Sequence, residues 1–444
     1  MAACAFILAV GLPSADPDTY WHLASGRWMV EHHAILDRDL FSSTAPGQPY
    51  SVGEWLGEVV LYLAYAAGGW SGLAVLRAVC VAAAAFFVTR LALRATHSGV
   101  IAVALSAAAL VLSKITWGDR PQLFTLALFP IALELLVIAR ERASLGRPRI
   151  LMALPPLVMV WANLHGGYAL GLFLAAAFAI EAVVARRSAW AFVAAAAGAL
   201  ALSFLDPGAL GIGAAVAHVS APPRVIAEET PPDVLTPAGA VFALFAVGVL
   251  VAALLRGGTL LDALLLVPLL WLALSAQRHL PFFAFAAVPF LARSPWARDP
   301  LARIRVPDAV AAGVALALVA GAAASARDAP SAPDDSRYPV GAIAALRSSS
   351  GVLLNEYDWG GFLIWRVPER GVFIDGRLFL FLPEVLDDYL VAVEVRPRWR
   401  EALDRRQVSQ VLIDPRHPLA EALRDQGWSV VASGQRFILL GRPR

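Results

Sequence analysis

Beyond residue 70 the chain is dominated by apolar stretches, at about 71–93, 99–115, 122–140, 150–162, 168–185, 188–205, 237–255, 259–275, 280–292 and 307–325. A helix needs about 20 residues to cross the hydrocarbon core of a bilayer. Inside that core every backbone N–H and C=O must be paired within the segment. Apolar stretches near this length, repeated this often, therefore read as transmembrane α-helices. Composition agrees: 59% of the 444 residues are hydrophobic, against roughly 45–50% in soluble domains. The expected fold is a polytopic α-helical membrane protein. A net charge of +2 points to no nucleic-acid or other acidic partner. The two cysteines, Cys4 and Cys80, lie inside apolar runs and fit neither a disulfide nor a zinc framework.

The first segment, Met1–Pro13, is apolar but short and lacks the basic start of a signal peptide. It is read as a first transmembrane helix that has lost its cytoplasmic beginning to a misplaced initiation codon. The chain then emerges outside near Ser14. Orientation follows from basic residues in short loops. With the first exit outward, the inner loops hold Arg90, Arg94, Arg140, Arg142, Arg147, Arg149, Arg186, Arg187, Arg256, Arg293, Arg298, Arg303 and Arg305. The outer loops before residue 326 hold Arg27, Arg38, Lys114, Arg120, Arg224 and Arg278, which makes 13 inside against 6 outside. This gives about eleven spans, with the N-terminus in and the C-terminus out. A crossing by Gly53–Ala67 would invert every later loop. That stretch is therefore read as an amphipathic helix lying in the outer interface, with Trp55, Tyr62 and Tyr65 at headgroup level.

Residues 1–326 are thus a transmembrane module containing a long outer loop, 14–70. A polar linker follows at 327–337. The remainder, 338–444, has only short apolar runs and suits a small extracytoplasmic α/β domain. No internal repeat is evident.

Carboxylates, imidazoles and amides collect on the outer side. The sharpest group is Asp16-Pro-Asp-Thr-Tyr-Trp-His22, directly after the first span. A carboxylate there can take a proton from a hydroxyl nucleophile or hold a divalent cation. The plainer role is Asp18 as the N-cap of a helix starting at Thr19. Further candidates are Trp117-Gly-Asp-Arg-Pro-Gln122, Asn163-Leu-His-Gly-Gly-Tyr168 and Gln277-Arg-His279. Lys114, Arg120 and Arg278 abut span ends, where snorkelling to lipid phosphate is the plainer role. In the C-terminal part, Asn355-Glu-Tyr-Asp-Trp-Gly-Gly361 and Phe373-Ile-Asp-Gly-Arg377 place acidic residues and glycine at strand ends. Turns of this kind bind sugar or a partner, or they are Asx-type turns with a buried Asp375–Arg377 contact.

This order of parts resembles the GT-C superfamily of membrane glycosyltransferases. More narrowly, DPDTYWHLASGRW, DRPQLFTL, WANLHGGY, NEYDWGGFLIW and FIDGR are similar to a bacterial branch of GT-C-like proteins. Asp16-x-Asp18-x-Tyr20-Trp21-His22 looks like the superfamily's first-loop acidic motif, with Pro17 between carboxylates that are commonly adjacent. The resemblance implies transfer of a sugar from a polyprenyl-phosphate carrier to a glycan, lipid or protein acceptor at the outer face of a bacterial cytoplasmic membrane. It implies Asp18, assisted by Asp16, as the catalytic carboxylate. Arg120, Lys114, Arg278 and His279 would bind the donor phosphate, and His22, Glu54, Asn163 and His165 the substrate. No cofactor is required by it, though Asp16 and Asp18 could hold a divalent metal. Two other classes stay open. One is a non-catalytic glycan-binding or assembly protein. The other is a lipid-linked sugar transporter, which would favour inverted repeats and polar groups at mid-membrane.

Overall fold

A computed structural model describes residues 1–50, 53–96, 98–143, 146, 148–208, 227–294, 313, 316–317, 319–321, 324 and 332–443. In chain order the helices are α1 (Ala2–Val10), α2 (Thr19–His32), α3 (Trp55–Ala95), α4 (Gly99–Ser113), α5 (Gln122–Ala143), α6 (Leu154–Leu164), α7 (Tyr168–Val184), α8 (Ala189–Ser203), α9 (Pro237–Arg256), α10 (Leu260–Ser275) and α11 (Leu280–Ala292). The C-terminal part adds α12 (Ile343–Arg347), β1 (Val352–Asn355), α13 (Gly360–Arg366), α14 (Glu384–Val393), α15 (Trp399–Arg405), β2 (Val408–Ile413), α16 (Pro418–Asp425), β3 (Ser429–Ser433) and β4 (Ile438–Gly441).

Two compact units result. One comprises Met1–Leu12 and Ser71–Ser331, the other Pro13–Trp70 and Ala332–Arg444. They interleave along the chain, and α3 contributes to both. Its helix is interrupted at Gly68 and at Gly69, whose φ of 59° suits glycine. The expected division at 1–326, 327–337 and 338–444 is a cut along the sequence, and residues 327–331 of its linker lie outside the described residues. So do Arg147, Arg224, Arg298, Arg303 and Arg305 of the loop tally, and most of the last expected span.

The first unit is a helical bundle. Among the described residues four helical segments are long and apolar enough to cross a membrane: Trp55–Ala95, Gly99–Thr116, Gln122–Ala143 and Pro237–Arg256. Shorter apolar helices accompany them at Arg149–Leu164, Tyr168–Val184, Ala189–Ser203 and Leu260–Ser275. Local sequence sets the helix starts. Ser98 accepts from the Ile101 N–H, Thr236 accepts from Gly239 ahead of a first-turn Pro237, and Thr259 with Asp262 forms a capping box. The central helix is α11, buried on nearly every face and packed on α4, α5, α9 and α10. The core there is aromatic and small by turns, with Phe129, Trp161, Phe242, Phe283 and Phe285 fitted against alanines.

One charge lies deep in this bundle. Arg77 is 2% exposed. Its Nε donates to the Ala9 carbonyl at 3.1 Å and its Nη1 to Asp119 at 2.9 Å, while Nη2 donates to the Leu12 carbonyl. The guanidinium thus adds donors to carbonyls at the end of α1, and ties α1 to α3 and to the turn before α5.

The second unit carries a sheet in the order β1-β2-β4-β3, with β1 and β2 parallel and the other pairs antiparallel. The first loop is built into it. Val372 N donates to Phe41 O at 3.0 Å and Ser43 N to Val372 O at 2.8 Å, while Thr44 Oγ1 donates to Phe373 O at 2.6 Å. Tyr20, Trp21 and Ala24 of α2 share one apolar core with Tyr338, Trp359, Phe362 and Leu363. Tyr20 meets Trp70, Tyr338 and Phe362 edge-on, with ring centroids 5.2–5.5 Å apart.

The joint is locked by a buried ion triad. Arg377 is fully buried, and both of its partners are too. Its Nη1 donates to Asp39 Oδ1 at 2.6 Å, and its Nε and Nη2 donate to Asp375 at 2.8 and 2.7 Å. Asp39 also accepts from Ser42 Oγ at 2.5 Å and from the Phe41 and Ser42 N–H groups. Breaking a buried, hydrogen-bonded pair by removing one partner typically costs about 3–5 kcal/mol. Arg377→Leu should therefore destabilise this unit by about that amount and lower the melting temperature of the purified protein. An unchanged melt would show that the triad does not hold the loop.

Candidate functional site

The candidate residues divide between the two units. Asp16, Asp18, His22 and Glu54 belong to the second, and Lys114, Arg120, Asn163, His165, Arg278 and His279 to the first.

In the second unit, Asp16 and Asp18 sit in the turn leading into α2. Asp18 occupies the N-cap position of α2, but its side chain makes no capping bond. It is Asp16 Oδ1 that accepts from the Asp18 N–H, at 3.0 Å. The Asp18 carboxylate turns instead to the Trp21 indole, whose Nε1 donates to Oδ1 at 3.1 Å. The motif DPDTYW thus uses one carboxylate to shape the turn and holds the other against an aromatic ring.

Two C-terminal motifs close round this carboxylate. Any side chain at Gly376 would put its Cβ 1.8 Å from Asp18 Oδ1 and 2.7 Å from Trp21 Nε1. Glycine in FIDGR is therefore required by the approach of Asp18. Asp358, from the NEYDWGG motif, is held above the usual carboxylate range, first by loss of hydration and then by the Asp18 charge. Tyr338 is pushed up to about 12 by burial, despite the nearby Arg337, with Asp16, Asp358 and Asp18 adding to the effect. The sequence marks Asp358 only within the NEYDWGG turn, because nothing in linear spacing ties residue 358 to residue 18. Asn355 has a scaffold role: its Nδ2 donates to the Glu356 and Ile374 carbonyls, and its Oδ1 accepts from the Phe373 N–H. The Asp375–Arg377 contact is present as the plain reading had it, with Asp375 Oδ1 also accepting from the Arg377 N–H at 2.9 Å.

His22 and Glu54 are placed differently. His22 is buried, and its Nδ1 lies 3.0 Å from Oε1 of the equally buried Glu58. Glu58 stands one turn along α3 from the partly buried Glu54. A buried His–Glu pair braces α2 on α3, which is a structural role. A divalent metal would find Asp16 and Asp18 as two oxygen ligands, the rest of its shell falling to water or substrate. Among the described residues no group of three or more His, Cys, Asp or Glu side chains is arranged to hold one.

In the first unit, the candidates occupy helix ends at one end of the bundle. Lys114 is exposed at the end of α4. Arg120 Nη2 donates to Glu228 Oε2 at 2.5 Å, and Arg278 Nη1 to Glu229 Oε1 at 2.7 Å. Gln277 pairs with Thr230 through backbone and side chain. Adjacent glutamates thus hold two arginines from different loops. Asn163 Nδ2 donates to the Met159 carbonyl, within its own helix.

His165 is the most constrained of the group. Its Nδ1 accepts from the Gly167 N–H at 3.0 Å, so that nitrogen carries no proton. Thr125 Oγ1, 2.8 Å away, must then donate to it, and the Trp161 indole donates to Thr125 Oγ1 at 2.7 Å. The chain of donors runs one way and leaves the imidazole proton on Nε2. A Cβ at Gly167 would come 2.4 Å from Thr125 Oγ1 and 2.8 Å from Nδ1, so the relay requires glycine there. Burial, then Arg120 and Arg278, push the His165 pKa down to about 3. Burial, then Arg278, push that of His279 down to about 4. Both imidazoles are neutral at pH 7. They act there as hydrogen-bonding groups, not as cations.

No family profile and no curated protein matches the chain in sequence. Solved structures do match. The oligosaccharyltransferase AglB of Archaeoglobus fulgidus, in complex with an inhibitory peptide and a dolichol-phosphate, superposes with a TM-score of 0.62 at 12% identity. The apo form of the Archaeoglobus fulgidus oligosaccharyltransferase superposes with a TM-score of 0.65, also at 12% identity. Each alignment covers 93% of this chain and 68% of the other. The chain has an AglB-like fold. At 12% identity the likeness is one of fold, a mostly helical one with a small C-terminal sheet.

The depressed pKa of His165 couples folding to pH. Between the unfolded value near 6.5 and the folded value near 3, the unfolded chain binds a proton that the folded chain does not. Stability from this residue is therefore complete above pH 6.5 and is lost as pH falls below it. His165 is partly exposed, so water reduces the effect to about 1 kcal/mol between pH 7 and pH 5. His165→Asn should show a smaller drop in melting temperature over that interval than the parent protein. Equal drops would mean that His165 titrates normally and is not held as a neutral donor.

Proposed function

We propose that the chain is a membrane glycosyltransferase that moves a sugar from a polyprenyl-phosphate carrier to an acceptor at the outer face of the cytoplasmic membrane. The observation that carries this reading is an acidic turn, Asp16-Pro-Asp18, held in an AglB-like fold by the packing of Gly376 against Asp18. The AglB structure that supports it is in complex with a dolichol-phosphate and an inhibitory peptide.

In the proposed reaction Asp18 takes the proton of the acceptor nucleophile, a hydroxyl in the simplest case, as its oxygen attacks the anomeric carbon. The bond between that carbon and the phosphate oxygen breaks, and polyprenyl phosphate leaves with the electron pair. Arg120, Lys114 and Arg278 stabilise the negative charge that grows on the phosphate. His165, with its proton on Nε2, adds a neutral donor, and His279 stands in the same loop as Arg278. Asp16 shapes the turn that presents Asp18. His22 braces the scaffold, and Glu54 and Asn163 remain as candidate sugar contacts.

A sugar hydroxyl is a poor nucleophile until a base assists it, and such assistance contributes about 10²- to 10⁴-fold. Asp18→Asn keeps the shape and the bond from Trp21 but not the basicity. It should lower transfer from polyprenyl-phosphate sugars by at least about 100-fold in protein that melts normally. Asp16→Asn should cost less. Full transfer by Asp18→Asn would leave Asp18 as a shaping residue and place the base elsewhere.

The topology is tested separately. Asp335 and Arg187 are both exposed. In an otherwise cysteine-free chain, Asp335→Cys should react with an impermeant thiol reagent in intact cells, and Arg187→Cys should react only after permeabilisation. The reverse pattern would put the C-terminal part inside and end the proposal of an outer-face reaction.

A further inference from the structure

The opposite end of the bundle from His165 and Arg278 has its own constellation, unused by the proposed reaction. Arg94 lies in the last turn of α3 and Arg140 in that of α5, while Arg293 caps α11 and Asp262 lies in the first turn of α10. Between these ends opens a cavity of about 140 Å³. Its body is apolar, formed by Leu133, Val137, Phe178, Leu261, Leu265 and Ala286, and its rim carries Arg94, Arg140 and Arg293 with Glu141 and Asp262. A cavity of this size, lined by such residues, accommodates an apolar group about as large as benzene.

The three guanidiniums are aimed rather than loose. Each is anchored by a carboxylate that is itself largely buried. Arg94 donates to Glu134 at 3.1 Å, Arg140 to Glu181 at 2.8 Å and Arg293 to Asp262 at 2.6 Å. The anchors are 2%, 11% and 9% exposed, and the arginines 33%, 34% and 34%. The bonds use Nε and Nη1 of Arg94, Nε and Nη2 of Arg140, and Nε and Nη2 of Arg293. One terminal nitrogen of each stays outside them. Among the described residues, three positive against two negative side chains on the rim leave one unit of positive charge. Glu134 is shared by Arg90 and Arg94, and Asp262 by Arg256 and Arg293; counting Arg140, Glu181 and Glu141 as well, the described side chains of the wider cluster keep the same balance.

We infer that this cavity binds one anionic phospholipid, its monoanionic phosphodiester on Arg94, Arg140 and Arg293 and part of an acyl chain in the apolar body. One negative charge completes the balance of the rim. A ligand with both a phosphate and a hydrocarbon chain matches a site that is cationic outside and apolar inside. Basic pockets between transmembrane helices suit anionic headgroups in this way. On the proposed topology the lipid belongs to the cytoplasmic leaflet. The inference does not depend on the glycosyltransfer reading, and neither fails with the other.

The test uses the full-length protein, delipidated in detergent. Phosphatidylglycerol, phosphatidylcholine and sn-glycerol 3-phosphate are added separately, and retention is read by native mass spectrometry alongside the melting temperature. Phosphatidylglycerol should be retained at least about tenfold better than phosphatidylcholine and raise the melting temperature, as expected when a ligand binds the folded state alone. Glycerol 3-phosphate should do neither. The charge-neutral double variant Arg140→Gln/Glu181→Gln should abolish the preference, and Ala286→Leu, which fills the cavity and keeps every arginine, should abolish retention. Equal retention of the two lipids would overturn headgroup recognition. Protection by glycerol 3-phosphate would make the ligand a free phosphate ester and overturn the lipid assignment. Undiminished preference in the folded variants would overturn the site. If the double variant does not fold, Ala286→Leu decides alone.

Discussion

A guanidinium removed from water is tolerable only where carboxylates or carbonyls meet its N–H groups, and both units are organised around one that is. In the second unit Arg377 lies between Asp39 and Asp375, all fully buried, with Phe41 and Tyr50 5.1 and 5.5 Å from its centre. Asp39 belongs to the first loop and Asp375 to the C-terminal part. Neither segment can therefore move off the other without leaving charge stranded in the core. This fastens the turn that carries Asp16 and Asp18 to FIDGR and NEYDWGG. In the first unit Arg77 does the same for α1, through Asp119 and two carbonyls near the end of that helix.

Motifs that look chemical in sequence turn out to divide their work. Asp119 and Arg120 are neighbours in DRPQLFTL. The first neutralises Arg77 inside the bundle and the second faces Glu228. In DPDTYWH, Asp16 shapes, Asp18 is presented and His22 braces. In WANLHGGY, Trp161 and Gly167 set the tautomer of His165. A reactive group needs neighbours that fix its rotamer and proton, and short motifs pack both kinds of residue together.

Charge at the two ends of the bundle is handled differently. Near His165 and Arg278 the arginines meet Glu228 and Glu229 from one short segment, and the imidazoles are kept neutral by loss of hydration. At the other end Arg94, Arg140 and Arg293 are each held by a different carboxylate on a facing or neighbouring helix, and an apolar cavity opens among them. The first arrangement suits a group whose charge changes during a reaction. The second suits a resident group of fixed charge.

Sequence alone determined the helical character, because apolar runs near bilayer length have one economical backbone solution in lipid. It also determined which loops are rich in carboxylate and imidazole, and the local contact of Asp375 with Arg377, since two residues of separation suffice for an Asx turn. Tertiary structure decided the rest. That residues 13–70 join 332–444 depends on hydrogen bonds and ion pairs spanning more than 300 positions, such as Arg377 to Asp39. No periodicity encodes such a pairing. The same holds for Asp358 beside Asp18, for Glu58 behind His22 and for the pairing of Arg120 and Arg278 with successive glutamates. Spacing along a chain predicts neighbours within a helix or turn; which charge finds which partner is settled by how those elements pack, because a buried charge stays only where the packing supplies its counterpart.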